Sequence, residues 1–423
     1  MNRAFRLRRL TPEDFVRGPR QVVPPGVLSE AGVIVERVRR EGAAALREYA
    51  TRLDGLPGDA PLRIERPELD RAVEALDVSQ RELLERTAGR IRRFARAQRG
   101  CLRDLETRID GARMGHRFHP VPAAGCYAPG GRHPLPSTVL MTAVTAREAG
   151  VETVLVATPR PDPIMLAAAG IARADAVLPW GGAHAIAGLA YGVEGVPAVD
   201  VIVGPGNAWV TAAKQIVAGM VRIDALAGPS ELLVVADGTT DPALVAADLL
   251  GQAEHDPLAV PVLVSLDESL IQAVEAELAS QLVDLPSADV AVEALGNGCA
   301  IVAGSADEAV ELCNRMAPEH LQWMAGDRTR IGDLVHYGGL FLGSGAAEVL
   351  GDYGAGPNHV LPTGGSARAR GGLSVVDFLK LNTWLEVEDG SALDALASDA
   401  TELGEMEGLT AHARAAQLRR AKR

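Results

Sequence analysis

The stretch VDVIVGPGNAWVTAAKQIVAG (199–219) decides how the chain is read. VDVIVG (199–204) is a short apolar run rich in β-branched residues, and NAWVTAAKQIVAG (207–219) has the Ala-rich texture of a helix. Between them lies Gly204-Pro205-Gly206. Strand, glycine turn, helix is the unit that builds parallel sheets, because the helix returns the chain to start another strand in the same direction. Such a turn also aims backbone N–H groups beyond the strand end, where they can meet a phosphate. Trp209, however, stands where the third glycine of GxGxxG belongs, so the dinucleotide fingerprint is broken. On these residues alone the turn suits either a bound nucleotide or a plain structural corner.

The same alternation extends on both sides. Candidate strands are ETVLVAT (152–158), ELLVVAD (231–237), VPVLVSL (260–266), CAIVAG (299–304) and GLFLG (339–343). Candidate helices are STVLMTAVTAREAG (137–150), AHAIAGLAYG (183–192) and PALVAADLLGQAEH (242–255). Asp241-Pro242 supplies a cap followed by proline in the first helical turn, and Ser305-Ala-Asp-Glu308 reads as a capping box. The pattern predicts an α/β protein with two Rossmann-like parallel-sheet units and helical N-terminal and C-terminal extensions. The expected division is an arm over 1–21, a discontinuous first α/β domain over 22–126 and 232–373, a second over 127–231, and a helical tail over 374–423.

Bulk properties narrow the function. With 423 residues and 47% hydrophobic content the chain can bury a sizeable core. Fifty-five acidic against 42 basic residues give a net charge of −13, which argues against nucleic acid as the main partner. The run SQRELLERTAGRIRRFARAQRG (79–100) reads as a solvated helix face. The start MNRAFRLRRL lacks the apolar run of a signal peptide, and no segment approaches the roughly 18 apolar residues of a membrane span. Cys101, Cys126, Cys299 and Cys313 form no CxxC pair and are expected to be buried free thiols in a reducing cytoplasm.

Four further motifs carry candidate chemistry. In LLGQAEHDPLA (249–259), Gln252 and His255 fall on one face of a helix end closed by Asp256-Pro257. They are either a metal-binding amide and imidazole or an idle Gln beside a solvated His. In NRMAPEHLQ (314–322), Pro318 interrupts a helix and Glu319-His320 follow at once, as a proton-transfer pair or as two surface groups. In GDYGAGPNHVLPTGG (351–365), Asp352 and His359 flank a stiffly punctuated loop. In EGLTAHA (407–413), Glu407 and His412 lie close together on a polar tail.

Taken together these motifs resemble histidinol dehydrogenase. AGPSE (227–231), QAEHD (252–256), APEHL (317–321), GDYGAGPNHVLPTGG (351–365) and LTAH (409–412) occur in that family's order and approximate spacing, and YAPGG (127–131) and GPGN (204–207) also fit. The resemblance runs from about residue 20 to the end. It implies a zinc-containing, NAD-dependent homodimer with shared active sites. Its reaction would oxidise L-histidinol through L-histidinaldehyde to L-histidine, the last steps of histidine synthesis, reducing two NAD.

Carried onto matching positions, the resemblance makes Gln252, His255, Asp352 and His412 the zinc ligands, with His412 reaching across the dimer. One carboxylate and a neutral amide would leave the site net positive, and the mixed N/O set also admits manganese or cobalt. His320 would be the base for alcohol oxidation, and Glu319 would activate water for the aldehyde step. Ser230, His359 and Glu407 would contact the substrate alongside His320 and the metal ligands. Tyr127 and Asn207 would contact NAD, making 127–231 the cofactor domain. The sequence departs at His184, where the family usually has a glutamine in contact with NAD. Other readings are a related dehydrogenase of another polyol or amino alcohol, a zinc hydrolase using Glu319 without NAD, and a non-catalytic binding protein. The match at Ser230, His359 and Glu407 speaks against the first, and the pairing of Glu319 with His320 beside a full ligand set speaks against the last.

Overall fold

The computed structural model describes residues 6–15, 23–130, 134–387 and 390–420. Residues 1–5 and 16–21 of the expected arm, residue 22 of the expected first domain, and Gly131 of YAPGG lie outside the described residues. The chain divides into two compact units, one of residues 1–96 and 121–378 and one of residues 97–120 and 379–423.

The larger unit holds two six-stranded sheets. In the first, the order is Arg9–Leu10, Cys299–Val302, Val260–Ser265, Glu231–Ala236, His320–Trp323 and Gly339–Leu342, with every neighbour parallel. The chain steps outward from the Glu231 strand to the Cys299 strand. It then returns to place the His320 strand on the other side, so the topological switch point lies between these two strands, at the ends opposite Glu231 and His320. In the second, the order is Ile64–Glu65, Ala176–Leu178, Thr153–Ala157, Ala123–Tyr127, Val201–Val203 and Arg222–Ile223, all parallel except the short antiparallel edge. Its switch point lies between Tyr127 and Gly204, because Cys126 pairs with Val203.

Strands buried on both faces explain the near-continuous apolar runs. Leu232, Val234 and Ala236 point into one core with helices Pro242–Ala253 and Glu268–Gln281. Leu233 and Val235 point into the other, beneath helix Ala306–Met316. The local signals hold. Asp241 accepts from Ala243 N–H at 2.9 Å, and Ser305 Oγ accepts from Glu308 N–H at 3.2 Å. Glu308 reaches back to the Gly304 N–H, one residue earlier than the expected box.

The sequence pattern groups residues 22–126 with 232–373. Here helices Pro25–Glu41 and Ala43–Tyr49 pack instead on helices Gly182–Tyr191 and Ala208–Val217 of the second sheet. Apolar spacing in an amphipathic helix shows that a face is buried and does not say against which sheet. Cys126, Cys299 and Cys313 are buried as expected, whereas Cys101 is exposed. No helix among the described residues is long and apolar enough to cross a membrane.

The smaller unit corrects the reading of a purely helical tail. Leu379–Glu386 is a strand, antiparallel to Ala112–Pro120, which in turn pairs with Leu105–Ile109. The hairpin turns at Asp110-Gly111, both with positive φ (48° and 85°), the signature of a two-residue DG turn. That signal was present in RIDGARM. Its partner strand is more than two hundred residues away, so no local pattern announces it. Helices Gly390–Met406 and Thr410–Gln417 complete this unit and pack on each other.

Candidate active site

Helix Ala306–Met316 stops before Pro318, whose ring excludes the helical conformation from the residue ahead of it. Ala317 takes up the turn with φ at 53°, the left-handed region that non-glycine residues rarely visit. The chain then enters the sheet at once, and His320 is the first residue of a strand set beside the Glu231 strand, with His320 opposite Leu232. The acid–imidazole pair therefore sits at the N-terminal edge of the central strands and is buried, not exposed at a helix break.

Glu231 brackets that pair with its backbone. Its N–H donates to Glu319 Oε2 at 2.8 Å, and its carbonyl accepts from His320 Nδ1 at 3.1 Å. A carbonyl can only accept, so Nδ1 carries the proton and Nε2 is left to face the site. Nε2 has no hydrogen-bond partner in the protein and lies 3.5 Å from Asp352 Oδ1. Glu348 Oε1 lies 3.6 Å from the same ring, at Nδ1.

His320, Glu348 and Asp352 bring ligand-type atoms within 4.8 Å of one another, the one such trio found among the described residues. Glu348 and Asp352 are four apart on the short helix Glu348–Asp352, so both point the same way.

The electrostatics are those of a largely buried, acid-rich cluster. Burial, reinforced by Asp352 and Glu319, lifts Glu348 to about 8 despite the opposing pull of the His320 ring. Burial and the Glu319 charge lift Glu231 to about 7. Burial also raises Glu319. His320 is opposed by burial, yet the carboxylates of Glu348, Glu319 and Asp352 outweigh it and push the imidazole up to about 10. Asp352 would be raised by burial, but the nearby imidazoles, His320 first, hold it below its ordinary range. Asp352 is thus not the only acidic group here: Glu348, Glu319 and Glu231 lie close by, all raised by burial.

Gln252 lies in the last turn of helix Pro242–Ala253, which packs on the Glu348–Asp352 helix. It is 1% exposed, and neither its amide oxygen nor its nitrogen has a partner within the protein. Such a group costs roughly 1–3 kcal/mol if nothing satisfies it. His255 lies just past the helix end and is exposed. Its Nδ1 donates to the Gly251 carbonyl at 2.8 Å, which turns Nε2, the atom a neutral ring offers as a ligand, toward Asp352 Oδ2 at 3.9 Å. Two lone-pair atoms at that separation stand about two zinc–ligand bond lengths of about 2 Å apart. The orphaned Gln252 oxygen and these facing lone pairs fit a bound cation.

His359 is half-buried. Its Nδ1 donates to the Asp352 carbonyl at 2.9 Å, and its Nε2 meets Thr138 Oγ1 at 3.2 Å. Burial lowers its pKa and keeps the ring neutral, so Thr138 is the donor. Thr138 opens helix Pro136–Ala149, which follows the second sheet's Tyr127 strand. Ser230, half-buried, directly precedes Glu231. Glu407 and His412 are exposed in the smaller unit, His412 on helix Thr410–Gln417.

On the second sheet, Tyr127 is 3% exposed and its hydroxyl accepts from the Gly182 N–H at 3.1 Å. Asn207 is exposed and caps helix Ala208–Val217 by accepting from Trp209 and Val210 N–H. His184 is 1% exposed, with Nε2 bonded to Asp54 Oδ2 at 2.8 Å, while that same oxygen accepts from Gly181 N–H at 2.9 Å. Sequence reading missed Asp54, Thr138, Glu231 and Glu348. Only Glu348 carried a local signal, its i,i+4 spacing to Asp352.

Comparison with known proteins shows the family. The family model of histidinol dehydrogenase matches residues 22–420. The histidinol dehydrogenase of Thermus thermophilus is 47% identical over 391 residues, covering 92% of this chain and 93% of that protein. The one from Parasynechococcus marenigrum is 43% identical over 403 residues, covering 93% and 91%. Among solved structures, histidinol dehydrogenase from Elizabethkingia anophelis matches with a TM-score of 0.90 at 30% identity, covering 98% of each chain.

The Glu348 carboxylate is the foremost of the charges that raise His320. Replacing it by a neutral isostere removes part of the preference for imidazolium, so Glu348→Gln should lower the His320 pKa in metal-free protein. Histidine NMR titration reads this directly, and an unchanged midpoint would show that Glu348 does not act on the ring.

Proposed function

The chain belongs to the histidinol dehydrogenase family, and on that premise we propose that it oxidises L-histidinol to L-histidine through L-histidinaldehyde, reducing two NAD and holding one zinc ion per subunit. The observation that carries this reading is the bracket around Glu231. One backbone residue fixes both an acid and an imidazole and leaves His320 Nε2 facing the site.

With the carboxylates that hold a second proton on the ring offset by a bound zinc ion, His320 Nε2 is freed and takes the hydroxyl proton as hydride leaves the alcohol carbon for NAD. Glu319, made more basic by burial, takes a proton from the water that attacks the aldehyde, and a second hydride leaves. His359, held neutral and oriented by Thr138, together with Ser230 and the partner subunit's Glu407, orients the substrate.

Gln252, His255 and Asp352, with the partner subunit's His412, would hold the zinc. When bound, the cation offsets the carboxylate cluster and anchors the substrate's imidazole and amine without taking electrons. The compact trio of His320, Glu348 and Asp352 favours a second ligand set that shares only Asp352. We prefer the first because it leaves His320 free for proton transfer. Tyr127 and His184 would shape the cofactor site from beneath, through Gly181 and Gly182, while Asn207 meets NAD. The buried thiols of Cys126, Cys299 and Cys313 suit a reducing cytoplasm.

Metal content separates the ligand sets. Gln252→Leu should lose most of the zinc and Glu348→Gln should keep it, and the reverse result would move the metal to the trio.

Stoichiometry and one variant test the reaction. Each histidinol should yield two NADH, with no free aldehyde accumulating. Glu319→Gln should still oxidise the alcohol while oxidation of supplied histidinaldehyde falls roughly 100-fold or more. Equal loss of both steps would refute the division of roles.

The shared site can be tested by mixing subunits. His320→Asn and His412→Asn should each be inactive. Co-expressed, about half the dimers are mixed and each carries one intact site, so activity should return to about a quarter of wild type. No recovery would mean that His412 serves its own chain.

A further inference from the structure

The strand Val201–Val203 stops one residue before Gly204, at the switch point of the second sheet. Gly204 has φ at 115°, and a Cβ there would fall 2.0 Å from the Tyr127 carbonyl oxygen. No other residue fits, and the residue is buried. Its own N–H and C=O lie beyond the ladder and need partners from elsewhere.

One ion pair supplies both. Asp224 Oδ2 accepts from the Gly204 N–H at 2.6 Å. Lys214 Nζ donates to the Gly204 carbonyl at 2.5 Å and to Asp224 Oδ1 at 2.6 Å. Asp224 Oδ1 also accepts from the Ala225 N–H at 2.6 Å. Lys214 is 2% exposed and Asp224 9%. Lys214 stands on helix Ala208–Val217, which the turn opens, and Asp224 follows the edge strand Arg222–Ile223.

A buried ion pair is a poor device for stability alone, since desolvation cancels most of its attraction and apolar residues of equal volume do as well. Apolar residues cannot hold a peptide N–H and C=O. The charge of Lys214 is also spent on Asp224 and a carbonyl, so it is not an anion ligand. We propose that Lys214 and Asp224 are positioning residues for the cofactor: they lock Gly204 so that Pro205-Gly206-Asn207 presents its backbone to a dinucleotide pyrophosphate. This rests on the reading that the GPGN turn binds NAD.

The test uses the zinc-loaded enzyme and NADH fluorescence titration, with thermal unfolding alongside. Lys214→Met/Asp224→Asn removes both charges at near-constant shape, and Asp224→Asn is the milder single change. Asn207→Asp keeps a helix cap but sets a negative charge at the turn, and so tests the turn itself. We expect Asn207→Asp to weaken NADH binding and the double variant to raise Kd about tenfold or more, with Asp224→Asn in between. The KM for NAD should rise while that for histidinol stays, a split that general loosening would not produce. Wild-type affinity in the double variant, with Asn207→Asp weakened, overturns the proposal alone. Wild-type affinity in Asn207→Asp overturns the turn reading and the proposal with it. Should the double variant not fold, an unchanged Kd in Asp224→Asn is decisive against the proposal, and a raised Kd with an unmoved histidinol KM supports it.

Discussion

The parallel register that sets His320 opposite Leu232 is the constraint on which the chemistry depends. It brings one peptide unit on each side of Glu231 within reach of the Glu319 carboxylate and the His320 ring. Side chains alone would hold such a pair loosely, because each has several rotamers. Backbone within a central strand has none to lose, so the acid and the imidazole inherit the rigidity of the sheet. The cost is burial of several carboxylates near one ring, visible as Glu348, Glu231 and Glu319 all displaced upward.

The two sheets place their chemistry at opposite ends of their strands. Glu231 and His320 lie at N-terminal ends, whereas Tyr127 and Gly204 lie at C-terminal ends, the usual ligand position in open α/β sheets. The hydrogen bond from Thr138 to His359 and that from Thr211 to the Ala227 carbonyl tie the two edges together within the larger unit. The GPGN turn of one sheet and the acid–imidazole pair of the other are thereby set within one compact unit.

Much of this was legible in the sequence. Period and composition mark the buried parallel strands, because a strand covered on both faces has no polar alternation to hide it. Motif order singled out Glu319, His320, Gln252 and His255, which the fold gathers beside Asp352. What stayed hidden depends on register and on distant partners. Glu231 acts through its backbone, which any residue has. Asp54 meets His184 across 130 positions. The strand Leu379–Glu386 looked like polar tail because its pairing partner is a hairpin near residue 112. The helices of the first hundred residues showed their apolar faces but not which sheet would cover them.

The split composition of the smaller unit bears on how the protein is made. The hairpin at 105–120 leaves the ribosome long before Leu379–Glu386 exists, so its edge strand waits unpaired while both parallel sheets are synthesised. Only once Leu379–Glu386 has been made can that edge close. Prematurely terminated products therefore keep an open strand edge, a surface that chaperones and proteases engage. The three-stranded sheet thus closes only after both parallel sheets have been made, and a chain cut short of Leu379 keeps a strand edge open to unwanted pairing.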